Sequence, residues 1–193
     1  MPERRAGALY WLAAFARQGV PMADGTARQQ TERGRAVVVQ PGEAASFWQP
    51  VPANGYTEVR LARENTGGNS LAMGLQVIAP HSFIREHWHD KNEEVLVFIE
   101  GTGKLEVNDD VHPIAPGTTA YLGRWNRHRI VNDTDRDLKM LWFLIPGGLE
   151  DFFQRIGRPR RPGEPAPAPF PRPENVAEIE RDTVFAPLPA KRD

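Results

Sequence analysis

Between Val37 and Ile145, turn-forming residues divide the sequence into short segments, and this spacing constrains the fold more than any other feature. Glycine, proline, asparagine and aspartate recur throughout, and no stretch shows the 3.6-residue hydrophobic period of a helix. The segments between these residues are apolar or alternate with a period of two, which is typical of strands. About nine short strands with this spacing predict an all-β, antiparallel sandwich or barrel.

Turn sequences set the bounds of the expected strands. Asn108-Asp109-Asp110 is a hairpin signal, Pro116-Gly117 is a second turn, and Thr66 to Asn69 is a third. The aromatic patch at 47–50 has no clear period. The segments with strand character are 36–39, 56–62, 71–78, 83–89, 94–99, 104–107, 111–114, 118–122, 127–132 and 138–145.

A chain of 193 residues is long enough for one well-cored domain with extensions. We expect an N-terminal extension over 1–35, helical or flexible, and a barrel over 36–147. An amphipathic helix over 148–157 and a proline-rich arm with a short helix over 158–193 would follow. No apolar run approaches the roughly 20 residues of a membrane-spanning helix. Arg4-Arg5 and the apolar patch behind them fit a docking helix or an extension better than a signal peptide, so a cytoplasmic protein is expected.

The hydrophobic period changes after Gly148. A helical stripe at i, i+3, i+4 and i+7 comprises Leu149, Phe152, Phe153 and Ile156. Gly157 is well placed to end this helix, which we expect to pack on the sheet. Seven prolines between Pro159 and Pro173 predict an extended surface arm. A short helix at 174–181 and a loose last ten residues complete the expected C-terminus.

Two of the five histidines, His87 and His89, lie just before a polar turn and an apolar strand that begins at Glu94. On an extended chain, side chains two residues apart share a face, and the turn returns the carboxylate beside them. Two imidazoles and one carboxylate at one point are typical of a metal site. In a small barrel, His128 from a later strand can complete the set. The alternative is a solvated hairpin face with salt bridges.

Two motifs in the sequence resemble those of the cupin superfamily. The matching residues are His87-x-His89-x4-Glu94-x6-Gly101 for the first motif, and Gly117 with His128-x3-Asn132 for the second. The resemblance covers roughly 56–145. It implies a small jelly-roll barrel, or double-stranded β-helix, that holds one divalent metal ion. The ligands that it implies are His87, His89, Glu94 and His128, with Glu93 as the alternative carboxylate.

One departure from the family pattern lies in the turn before His128. Cupins usually carry a proline and a glycine there, whereas this chain has Gly123 and Trp125 in their places, with Arg124 and Arg127 beside them. We therefore expect an unusual rim at the barrel mouth.

The chain contains no cysteine, so a thiolate metal site is excluded. Three neutral imidazoles and one carboxylate leave open positions on a six-coordinate ion. Fe(II) or Mn(II) is favoured, while Ni(II), Co(II) and Zn(II) are possible.

Strand alternation also predicts a substrate pocket beside the metal. Its expected residues are Phe83, Arg85, Gln76, Phe98, Trp125, Asn132, Met140 and Trp142. A cation inside a barrel needs a partner. For Arg85, this is either a substrate carboxylate or phenolate, or a neighbouring acid such as Glu86 or Asp90.

An open metal site in an apolar barrel predicts a metal-dependent dioxygenase that acts on a small aromatic or enolic substrate. The alternatives are a non-redox isomerase, lyase or decarboxylase, and a small-molecule-binding module without turnover. No residue is assigned a catalytic role. The net charge of −1 gives no reason to expect nucleic acid. The outward-facing Val95, Val97 and Ile99 make a homodimer the expected assembly.

Overall fold

Two antiparallel sheets share one hydrophobic core in the structure, a computed structural model that describes residues 34–186. The strands, in chain order, are β1 Ala45–Trp48, β2 Tyr56–Leu61, β3 Ala72–Ile78, β4 Ser82–His87, β5 Glu93–Glu100, β6 Gly103–Val107, β7 Asp110–Ile114, β8 Thr119–Leu122, β9 His128–Asn132, β10 Leu138–Ile145 and β11 Arg158–Pro159. The larger sheet has the order β11-β1-β2-β3-β10-β5-β8, and the smaller one β4-β9-β6-β7. The predicted all-β jelly roll is confirmed.

The strand β10 supplies much of the core because its side chains alternate between two faces. Four of them are buried: Leu138, Met140, Trp142 and Leu144. The indole of Trp142 lies opposite Gly74 of β3, and its Nε1 donates a hydrogen bond to Thr57 Oγ1 at 3.3 Å. Buried aromatic N–H groups normally find such a partner. This contact fixes the packing between β2, β3 and β10.

Three helices accompany the sheets: α1 Arg63–Thr66, α2 Leu149–Ile156 and α3 Val176–Asp182. The apolar stripe of α2 faces the core, where Phe153 packs against Trp142 with ring centroids 5.4 Å apart. The helix ends at Ile156, directly before Gly157, as its sequence predicts. Within residues 34–186, no helix is long and apolar enough to cross a membrane.

The observed elements differ from the expected ones at a few places. The β-branched run at 36–39 forms no strand in the described part of the chain, and Val38 is 78% exposed. The aromatic patch instead forms β1, where Phe47 pairs with Thr57 in β2 and with Pro159 in β11. The proline-rich arm can add β11 because a proline is tolerated at a sheet edge. The expectation for the N-terminal extension lies outside the described residues, apart from its last two.

Candidate metal centre

The structure brings together the three histidines and the glutamate that the sequence singles out. One ligand atom from each of His87, His89, Glu94 and His128 lies within 4.8 Å of all the others. His89, Glu94 and His128 are buried, at 3%, 4% and 1% exposure. The group could hold a metal ion because imidazole nitrogens and a carboxylate oxygen converge on one point.

The ligands reach this point from both sheets. His87 is the last residue of β4 and lies opposite His128, the first residue of β9. Glu94 comes from β5 in the larger sheet. His89 was expected on the same strand as His87, but the strand ends two residues earlier, and His89 lies in the following irregular segment. The two imidazoles still meet, with ring centroids 5.3 Å apart.

Each imidazole is oriented by a hydrogen bond from its Nδ1 atom to a backbone carbonyl. For His87, His89 and His128, the acceptors are respectively the carbonyls of Arg85 at 2.8 Å, Val184 at 2.8 Å and Asn126 at 2.9 Å. A carbonyl oxygen can only accept, so Nδ1 carries the proton and Nε2 of the neutral ring keeps a free lone pair. This is the orientation that metal-binding histidines adopt.

Three polar atoms at the centre of the cluster have no hydrogen-bond partner among the residues that the structure describes. They are His89 Nε2, His128 Nε2 and Glu94 Oε2. Glu94 Oε2 lies 2.9 Å from His128 Nε2 and 3.7 Å from His89 Nε2, without the angles of a hydrogen bond. Buried polar atoms are costly when unsatisfied, and a shared divalent cation would satisfy all three. The donor set therefore fits a divalent metal.

At His87 and Glu94, the electrostatics of the cluster favour the forms that bind metal. Burial, followed by the neighbouring His128 and His89, lowers the pKa of His87 well below its ordinary value, so this ring is neutral. Burial would raise the pKa of Glu94, but its interactions with His128 and His89 outweigh burial and lower it. Burial would lower the pKa of His89, but its interaction with Glu94 raises it. The Glu94 carboxylate is thus ionised, the form in which it would bind a metal.

The alternative carboxylate, Glu93, lies outside the cluster. Side chains alternate along β5, so Glu93 is half-buried on the opposite face while Glu94 is buried within. Of the two histidines outside the motifs, His81 is exposed with Nε2 2.8 Å from Asp135, and His112 is exposed on β7.

A cavity extends from His87 and Glu94 into the barrel. Its apolar lining includes Ile84, Ile130, Met140, Leu149, Phe152, Phe153 and Ile156. Four of the expected pocket residues lie on it: Gln76, Phe83, Arg85 and Met140. Among the described residues, the lining leaves out four others: Phe98, Trp125, Asn132 and Trp142.

Each of these four residues lies outside the cavity lining for a physical reason. Phe98 and Trp142 are fully buried in the core. The Asn132 amide donates to three backbone carbonyls, those of Ile78, Ala79 and Arg136, at 2.8–2.9 Å. Asn132 therefore connects the backbone at the end of β3 with the loop before β10. Trp125 is 63% exposed at φ +68°, the left-handed conformation that a glycine at this turn would adopt freely.

The C-terminal segment contributes residues to the site that strand alternation did not predict. The Phe185 ring lies 5.1 Å from the His87 ring and 5.4 Å from the His89 ring, measured between centroids, and 4.5 Å from that of Phe152. The backbone N–H of Ala186 donates to the carbonyl of Trp88 at 3.0 Å. The expectation of a loose C-terminus is wrong for 184–186, because these residues pack on the metal cluster. The Val184-Phe185 pair after a short helix was the only local signal.

The acid that pairs with Arg85 is also more distant in sequence than expected. Arg85 contacts Glu180 of α3, and Arg172 of the arm contacts the same carboxylate oxygen at 2.5 Å. Glu86, one of the two acids expected as partners, instead has its Oε1 atom 3.9 Å from Nη1 of Arg127. Arg85, Arg172 and Glu180 all line the cavity.

Comparison with known proteins supports the fold. A family model described as a cupin domain matches residues 74–144. Protein SchB from Streptomyces halstedii is 29% identical over 100 residues, which are 50% of this chain and 72% of SchB. Polyketide synthase CurC from Streptomyces cyaneus is 29% identical over 86 residues, 45% of this chain and 56% of CurC. The solved structure of polyketide cyclase RemF from Streptomyces resistomycificus has a TM-score of 0.52 at 14% identity, covers 58% of this chain and 81% of RemF, and shows the shared fold.

Proposed function

We propose, since residues 74–144 form a cupin domain, that this chain is a metal-dependent enzyme acting on a small aromatic or enolic substrate of the polyketide type. The observation that carries the proposal is the buried cluster of three histidines and one glutamate, which opens into a largely apolar cavity. A divalent ion held by the cluster would have room beside it for an organic substrate. The site supports this proposal more than the fold does, because one fold supports many reactions.

The cavity lining and the relatives support the proposed substrate class. Phe152, Phe153 and Phe185 are aromatic residues of the cavity lining, while Gln76 and Arg85 supply polar groups. Aromatic side chains favour stacking with planar ligands. CurC is described as a polyketide synthase and RemF as a polyketide cyclase, and polyketide chains are rich in carbonyl groups that enolise and aromatise.

Non-redox enolate chemistry is the first candidate reaction, covering isomerase, lyase or decarboxylase steps. A divalent ion held by the cluster would supply a Lewis acid for a carbonyl or enolate oxygen. The protein side chains would orient the substrate and exclude water. Phe185 covers His87 and His89 on one side, and the apolar residues of α2 close the cavity on another. Exclusion of water strengthens every electrostatic interaction inside the site.

A dioxygenase is the second candidate, and the apolar character of the lining favours it. Three imidazoles and one carboxylate suit Fe(II) or Mn(II), and free coordination positions are what oxygen chemistry requires. The two candidates share the metal ligands and differ in the need for O2.

The test combines metal analysis with turnover. Purified protein is expected to contain close to one divalent metal ion per chain, and His87→Ala is expected to lose it. His81→Ala, a histidine outside the cluster, is the matched control and should keep the metal. A metal-free wild-type protein after reconstitution with Fe(II), Mn(II), Co(II) and Zn(II) would overturn the proposal.

Turnover is then measured on phenolic and poly-β-keto substrates under air and under argon. Activity that persists under argon and tolerates several divalent ions supports enolate chemistry. Activity that requires O2 and consumes it in proportion to product supports the dioxygenase.

We also propose a homodimer formed through the outer face of the larger sheet. Ile99, Tyr121 and Ile145 are exposed large apolar or aromatic side chains on β5, β8 and β10, which are adjacent in that sheet. Val95 and Val97 of β5 are half-buried on the same face. An exposed apolar patch of this kind is typical of an interaction surface.

A further inference from the structure

Two guanidinium groups and one carboxylate meet on the wall of the cavity. The Nη2 atoms of Arg85 and Arg172 both donate to Oε1 of Glu180. The three residues come from β4, from the proline-rich arm and from α3. Their side chains are 45%, 16% and 25% exposed, so the group is partly shielded from water. Two cations thus share a single oxygen of one anion.

This group carries an excess positive charge toward the cavity. Among the described residues that line the cavity, the other ionisable ones are His87 and Glu94, and both belong to the metal cluster. The two guanidiniums are therefore only partly compensated by the carboxylate between them.

We propose that Arg85 and Arg172 form a subsite for a carboxylate group of the substrate, and that the Glu180 carboxylate occupies this subsite as an internal competitor until the substrate displaces it. The proposal deepens, and rests on, the proposed function, because it places this subsite in the same cavity as the metal cluster. Guanidinium groups recognise planar carboxylates with strong charge-assisted hydrogen bonds. A carboxylate fits between them, since Glu180 already presents one there. Rotation of its side chain, which is partly exposed, is enough to vacate the subsite.

A purely structural ion pair would attach α3 to the barrel without contributing to a substrate site. Arg155 and Asp182 form such a pair between α2 and α3 at 3.4 Å, and neither residue lines the cavity. This pair also ties α3 to the barrel. Asp182→Asn therefore provides a matched control that weakens the attachment of α3 and leaves the two arginines paired with Glu180.

The test is a calorimetric titration of the zinc-loaded protein with 2-naphthoate and with its neutral analogue 2-naphthamide. Glu180→Gln removes the competing charge and should tighten naphthoate binding about tenfold, the change expected for one additional charge-assisted interaction. Arg85→Gln and Arg172→Gln should each weaken naphthoate binding by about the same factor, and Arg172→Lys by less. Naphthamide affinity should stay within about twofold in every variant, because the amide carries no charge.

Two results would overturn the subsite. One is a Glu180→Gln protein that binds naphthoate no better than the wild type. The other is an equal gain in Asp182→Asn, which would assign the effect to a loosened α3. Thermal unfolding of each variant verifies that it is folded.

The titrations are repeated in the His87→Ala background to remove binding of naphthoate to the metal. The gain in naphthoate affinity of Glu180→Gln over its parent is expected to persist there. Absence of zinc from the wild type would contradict the proposed function, whereas equal naphthoate affinities of Glu180→Gln and its parent would contradict the subsite. The two failures are thus read from different measurements.

Discussion

His89 Nδ1 donates a hydrogen bond over 2.8 Å to the backbone carbonyl of Val184, a residue 95 positions later in the chain. The acceptor belongs to the segment after α3, and the donor ring belongs to the metal cluster. This bond fixes the proton on Nδ1 and leaves Nε2 available, so the C-terminal segment orients a metal ligand.

Removal of the C-terminal segment is expected to weaken metal binding. A chain ending at Thr183 loses the carbonyl that orients His89 and the Phe185 ring that covers it. Loss of such outer partners typically lowers metal affinity about 10- to 100-fold. Competition with a chromophoric chelator measures the change. A chain ending at Ala186 retains both contacts and is the control; an equal loss in both chains would contradict the prediction.

Substitution of Glu93 and Glu94 in turn should show which of the two adjacent glutamates is the metal ligand. Glu94→Gln removes a buried anionic ligand, so we expect metal content and turnover to fall by at least about tenfold. Glu93→Gln changes a half-buried side chain on the opposite face of β5 and should leave both within about twofold. Elemental analysis of the two purified variants provides the comparison. Retention of metal by Glu94→Gln together with its loss from Glu93→Gln would reverse the assignment.

Gly74→Ala is expected to destabilise the barrel. A Cβ atom at this position would lie 2.1 Å from the carbonyl oxygen of Glu58 and 2.5 Å from the Trp142 ring. Neither the paired backbone nor the fully buried indole can move freely, so overpacking should lower the free energy of unfolding by about 2–3 kcal/mol. Chemical denaturation measures this value. In Gly68→Ala, the added Cβ would meet no atom of the described residues within 4 Å beyond its chain neighbours, so stability should change by less than about 1 kcal/mol.

Charge introduced on the outer face should dissociate the proposed homodimer. Val97→Lys places an ammonium group between Leu141 of β10 and Thr119 of β8, in the middle of the apolar face. Burial of this charge in an interface would be strongly unfavourable, so sedimentation should show the monomer. Val111→Lys, an exposed position on β7 in the smaller sheet, should leave the mass unchanged. A wild-type protein that sediments as a monomer would contradict the proposal.

Much of the fold could be predicted because the relevant signals are local. Turn residues bound the strands, and period-two alternation assigned the buried face of β10. The exceptions occurred where pairing overrides local preference. The run at 36–39 has β-branched residues but no partner strand in the described part, whereas Phe47 gains partners in both β2 and β11.

The sequence predicted part of the candidate site, and the part that it missed has a physical reason. Spacing and alternation placed Gln76, Phe83, Arg85 and Met140 on the inward faces of strands, and all four line the cavity. Alternation cannot tell the cavity from the packed core at the other end of the same face. Phe98 and Trp142 therefore share the inward orientation but fill the core instead.

By itself, the sequence determined the strand pattern, the three histidines and the choice of Glu94, because spacing along a strand decides which side chains share a face. Only the tertiary structure decided that Val184 orients His89, that Phe185 covers the cluster and that Glu180 lies between Arg85 and Arg172. The Val184–His89 and Glu180–Arg85 contacts join residues 95 positions apart. Such contacts depend on how α3 and the arm pack against the barrel, which no local periodicity encodes.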